Sequence, residues 1–86
     1  MILDHIPLSD AQANLINKLV GGDDVKISVL FRTMAGRWPA PAETQRVQQQ
    51  RLGTPISRIN RKLRPYGYRI APGIKRGTYR LLRIKE

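Results

Sequence analysis

The sequence predicts one α+β domain spanning residues 1–86, with helices first and a two-stranded hairpin last. Three observations predict it. A capped amphipathic segment runs from Ser9 to Gly22. A second segment, Ile56 to Leu63, carries apolar residues at i, i+3 and i+7, so Ile56, Ile59 and Leu63 share one helical stripe. Tyr68–Ala71 and Thr78–Ile84 alternate on either side of Pro72-Gly73-Ile74-Lys75-Arg76-Gly77, which has the turn chemistry of a hairpin.

Each element follows from local chemistry. Ser9 and Gln12 form a capping box, in which each side chain satisfies the other's backbone donor. Asp10 suits the positive end of the helix dipole. Ala11, Leu15, Ile16 and Leu19 give the apolar stripe, and Gly21-Gly22 ends the helix. Pro7 holds the residues before it extended. Val25-Lys26-Ile27 alternates as a short strand. Ser28 caps a second helix to about Ala35, with Val29, Leu30 and Phe31 or Met34 inward, and Gly36 stops it. Arg37-Trp38-Pro39-Ala40-Pro41 is a loop, because each proline restricts the residue before it.

Ala42 to Arg51 is polar and helix-permissive, with Val47 and Leu52 as its inward positions. Gly53 interrupts it. Thr54-Pro55 then reads as a hydroxyl N-cap with proline at N1, opening a helix over 54–64. A single kinked helix over 43–64 is the alternative. Pro65 and Gly67 end it.

Charge narrows the function. Sixteen Lys and Arg oppose six Asp and Glu, for a formal charge of +10. Residues 1–24 carry a net −3 and residues 25–86 a net +13, the footprint of a polyanion-binding surface on a near-neutral support. Absence of Cys excludes a disulfide framework and a thiolate metal site. No apolar run approaches the roughly 20 residues of a membrane span, and no signal-peptide pattern opens the chain. His5 stands alone, and four of the six carboxylates fall in the first 24 residues without paired spacing, so neither catalysis nor a cofactor is expected. The expected location is cytoplasmic, on the nucleoid.

Helix, short strand, helix, helix and basic hairpin is the order of a winged helix-turn-helix: a three-helix core, with the polar segment as an optional extra helix, and a C-terminal β-hairpin wing. Within that order, Ile56-Ser57-Arg58-Ile59-Asn60-Arg61-Lys62-Leu63 resembles the I-S-R-L-R-R-K-L recognition helix of the OmpR-type response-regulator output domain. Tyr66-Gly67-Tyr68-Arg69-Ile70 and Gly77-Thr78-Tyr79-Arg80-Leu81 resemble that family's G-V-R-I … G-x-G-Y-R-L wing. The resemblance covers about residues 8–84. Thr78 replaces a wing glycine, the 36–56 segment is longer than the family's, and no receiver domain precedes the unit, so phosphorelay control is not implied. A small stand-alone regulator, phage-borne, or an excised domain fits.

The expected function is double-stranded DNA binding in transcription regulation. Thr54, Ser57, Arg58 and Arg61 face a major groove, since Arg forks match guanine and hydroxyls bond to either partner. Lys62 and Arg64 suit phosphate at the flanks. Lys75 and Arg76, at the tip of wing 72–77, reach a minor groove, where Arg reads width rather than a base code. Arg80, Arg46 and Arg51 are further backbone contacts. Trp38 is either folded back on the core or a protein contact; the resemblance implies RNA polymerase as the partner of a loop in this place. Tyr66, Tyr68 and Tyr79 pack on a helix or, as the rarer use, stack single-stranded bases. Tandem or dimeric binding stays open. The rivals are an excisionase-type architectural factor, a protein-interaction module on RNA polymerase, and RNA binding.

Overall fold

The computed structural model describes residues 6–84. Of the chain before Pro7 only Ile6 is described: it is buried, and its carbonyl accepts the Leu8 N–H at 2.8 Å. The expectations for residues 1–5, the lone His5 among them, lie outside the described residues. The element order is α1 (Asp10–Leu19), β1 (Val25–Lys26), α2 (Ile27–Ala35), α3 (Gln45–Leu63), a short 3-10 turn (Arg64–Tyr66), β2 (Tyr68–Pro72) and β3 (Thr78–Arg83). Three helices thus precede a three-stranded antiparallel sheet of order β1-β3-β2.

The expected capping box opens α1: the Ser9 hydroxyl accepts the Gln12 N–H at 3.3 Å, and the Gln12 amide oxygen accepts the Ser9 N–H at 3.0 Å. Leu15, Ile16 and Leu19 are buried. Ala11 is exposed, so the buried stripe starts one turn later than its sequence suggests. Gly22 turns the chain with φ 78° and donates its N–H to Leu19.

The β1–α2 junction departs from expectation by one residue at the strand end and two at the helix cap. Ile27 opens the helix instead of ending the strand, and Lys26, not Ser28, holds the N-cap without a side-chain cap. The reason is tertiary. Ile27 is buried, and its N–H is already satisfied by the Gly77 carbonyl at 3.0 Å, so no hydroxyl is needed there. Leu30 and Phe31 follow it inward, Val29 and Met34 are half-buried, and Gly36 closes α2 with φ 75°.

The largest correction concerns α3. Residues 45–63 form one helix, so there is no separate polar helix and no helix start at Thr54. Thr44 is the N-cap, its hydroxyl accepting the Val47 N–H. Arg64 lies beyond α3, in the 3-10 turn. Gly53 and Pro55 are interior, which costs about 1 kcal/mol and about 3 kcal/mol respectively in an ordinary helix. Packing outweighs that cost. Leu52, Ile56, Ile59 and Leu63 flank the weak point on one face, all buried and three of them at 0 % exposure. Each such side chain contributes roughly 1.5–3 kcal/mol on burial. Gln48, not Val47, takes the inward position one turn earlier, and its amide donates to the Glu43 carbonyl at 2.7 Å.

The hairpin pairs Tyr68 with Arg83 through Pro72 with Tyr79, and β1 adds Val25 opposite Tyr79 and Lys26 opposite Thr78. Pro72 is the last residue of β2, leaving 73–77 as the loop. Ile70 and Tyr79 close the core from the sheet side, in one cluster with Leu30, Phe31, Leu52, Ile59 and Leu63.

Candidate nucleic-acid interface

No acidic residue occurs in α3, which carries Arg46, Arg51, Arg58, Arg61 and Lys62. Its buried stripe fixes which of these point outward. At about 100° per residue, Arg46, Gln50, Gly53, Ser57 and Arg61 follow one another along one exposed flank. Thr54 and Arg58 lie further round, toward the side of the helix that carries Arg51.

Hydrogen bonding divides the polar side chains of α3 into engaged and free groups. Asn60 is engaged with Ile70, Lys62 donates to the Gln12 amide oxygen at 2.7 Å, and Arg51 donates to Glu43 at 3.0 Å. Arg46, Gln49, Gln50, Arg58 and Arg61 are exposed and have no side-chain hydrogen bond or ion pair among the described residues. Lys62, expected at a phosphate, is half-buried and tied to α1.

The hairpin loop sits beside the start of α3, not beside residues 54–57. Gln45, Arg46 and Gln49 from the helix face Gly73, Lys75, Arg76 and Gly77 from the loop across a cleft of about 670 Å³. The floor includes Ile27 and Tyr79. Gly77 is required by its backbone, whose φ is 78°; a Cβ there would come within 2.7 Å of the Gln45 amide, the movable end of an exposed side chain. The expectation of a wing working with a helix over 54–64 is therefore corrected. Because the helix begins nine residues earlier, its N-terminal end is 45–50.

The loop is not a free tip. The Lys75 N–H donates to the Asp24 carboxylate at 2.9 Å, and the Thr78 hydroxyl donates to the Lys75 carbonyl. That backbone bond from Lys75, helped by the charge of Arg80, holds the Asp24 carboxyl below its usual range. The side chains of Lys75 and Arg76 remain exposed, and Ile74 between the strands is 84 % exposed. Arg80 is half-buried behind the loop, with its Nε buried and unpartnered among the described residues.

A second polar cluster shapes the 36–44 loop. Glu43 accepts both Arg37 guanidinium nitrogens, at 2.6 and 3.0 Å, the Arg51 guanidinium, and the Ala40 N–H at 2.9 Å. These donors, Arg37 first, hold its carboxyl down to about 2. Trp38 lies in this loop with 57 % exposure, so its ring is not folded back on the core. The Arg32 guanidinium stacks over the ring at 4.8 Å. Of the tyrosines, Tyr79 is buried and Tyr68 half-buried in the hairpin, which removes both from stacking on bases.

Gln49, Gln50 and Ile74 carry no expected role in the sequence, and Gly53 is expected there only as a helix break. The signals were present: a run of three glutamines and one apolar residue inside a Pro-Gly…Gly loop. Among the described residues no group of His, Cys, Asp or Glu could hold a metal ion, and no helix is long and apolar enough to cross a membrane. The chain matches no protein-family model, no curated protein and no solved structure.

Proposed function

We propose that this chain is a winged helix-turn-helix that binds double-stranded DNA and regulates transcription. In this reading α2, the 36–44 loop and α3 form the helix-turn-helix, and the β2–β3 hairpin is the wing. The observation that carries it is the juxtaposition of Arg46 on α3 with Lys75 and Arg76 on the hairpin loop, across an open cleft.

Three like charges on two separate elements repel one another at no internal benefit, and α3 has no acid in its first turn to offset the helix dipole. An anionic ligand resolves both. Duplex DNA suits the shape as well as the charge: the helix enters a major groove, the loop reaches the neighbouring minor groove, and the phosphate strand between the grooves runs along the cleft. Ile74, at the loop, is the kind of apolar side chain that minor-groove proteins present to base steps. Arg58, Arg61 and Arg64 extend the basic surface toward the other end of α3, where they meet phosphates.

Fluorescence anisotropy with a labelled duplex tests the reading. The wild-type chain should bind, with log K falling linearly as log salt rises. Replacing Lys75 and Arg76 together with Ala should reduce the salt slope by about 2, since each phosphate neutralised contributes roughly 0.9. An unchanged slope removes the cleft from the contact surface.

Exposure of Trp38 under Arg32 favours a second reading, a protein contact made by the 36–44 loop. RNA polymerase is the partner that the family resemblance suggests. Trp38→Ala should then abolish retention of the partner after nuclease treatment while leaving duplex binding intact.

A further inference from the structure

We propose that the flank Arg46–Gln50–Gly53 reads a purine pair, with Gln50 bonding to adenine, Arg46 to guanine, and Gly53 giving the DNA close access to the helix. The inference rests on the duplex-binding reading above and assigns its sequence specificity.

The argument begins with what each amide on α3 is doing. Asn60 holds Ile70, and Gln48 is buried against the Glu43 carbonyl. Gln45 fills the space over Gly77. Gln49 lines the cleft, where the proposed phosphate strand runs. Gln50 alone among the helix's amides points away from both the core and the cleft, exposed and without a hydrogen-bond partner among the described residues. A glutamine amide offers one donor and one acceptor side by side, which matches N7 and N6 of adenine in a major groove.

Arg46 precedes Gln50 by four residues, so it lies on the same flank about 6 Å away along the axis. Its guanidinium fork matches O6 and N7 of guanine. Base pairs stack roughly 3.4 Å apart, so the two readers reach bases within about two steps of each other.

Gly53 continues the flank one turn on. A Cβ built there would touch nothing within 4 Å, and the residue has no positive φ, so neither packing nor backbone geometry demands glycine. Alanine there would strengthen the helix. A glycine with no internal reason for being glycine, in line with two unpartnered readers, fits close approach of an external surface.

Selection of bound duplexes from a random library tests the assignment. The wild-type chain should enrich a motif with a fixed adenine and a fixed guanine no more than about two steps apart. Gln50→Ala should lose discrimination at the adenine alone, by roughly tenfold, and Arg46→Ala at the guanine alone. Gly53→Ala should raise Tm yet weaken binding to every sequence in the motif. A motif that survives Gln50→Ala and Arg46→Ala unchanged overturns the base assignments. Unweakened binding by Gly53→Ala overturns the close approach. Duplex binding by the wild type without any motif overturns base reading while sparing the proposed function; no duplex binding at all overturns both.

Discussion

Asn60 and Ile70 are joined by two hydrogen bonds: the Asn60 amide donates to the Ile70 carbonyl at 3.0 Å and accepts the Ile70 N–H at 2.6 Å. In the sheet order β1-β3-β2, strand β2 is an edge, and its outward backbone groups need partners. The side chain of Asn60 acts as a short stand-in for a neighbouring strand and locks α3 to the hairpin. That fixes the angle between the proposed reading helix and its wing.

Asn60→Ala should therefore lower stability by about 2 kcal/mol, the order expected when a buried donor and acceptor lose their partners. Urea denaturation measures it. A loss below about 0.5 kcal/mol would show that water replaces the amide readily.

Pro55 predicts the opposite sign. It sits inside α3, where it cannot donate to the Arg51 carbonyl. Pro55→Ala restores that donor and should stabilise the fold by about 1–3 kcal/mol, after allowing for the freer unfolded chain. Destabilisation would mean that the helix bends at this point and needs the bend.

The Glu43 cluster predicts a pH dependence. Its folded carboxyl titrates at about 2, below the ordinary value of 4.5. A depressed carboxyl stabilises the fold fully above the unfolded value, and that contribution fades as pH falls from about 4.5 toward 2. Trp38, the only tryptophan, lies in the same loop and reports on it by fluorescence. Its emission should shift as pH falls to about 2, where the folded carboxyl takes up its proton, and should not in Glu43→Gln. The same titration in both proteins would place its origin elsewhere.

Much of this architecture was legible in the chain. The Ser9–Gln12 box, the Ile56-Ile59-Leu63 stripe, the Gly36 stop and the 68–84 hairpin all rest on local chemistry, and they hold. The failures come from tertiary override. Gly53-Thr54-Pro55 has every local mark of a helix start, yet burial on both sides of it carries the helix through. Moving the start back to Gln45 moves the candidate reading surface with it, from Ser57 and Arg58 toward Arg46 and Gln50. Likewise, Lys62 and Arg51 look like free cations in sequence, because Gln12 and Glu43 approach them only in three dimensions.

Backbone amide chemical shifts, followed by NMR as a duplex oligonucleotide is added, test the central claim most directly. The account predicts the largest perturbations on residues 45–53 of α3 and 73–77 of the hairpin loop, smaller ones at Arg58, Arg61 and Arg64, and a largely unmoved 36–41 loop. Perturbations centred on Trp38, or none at a duplex excess at low salt, would contradict it.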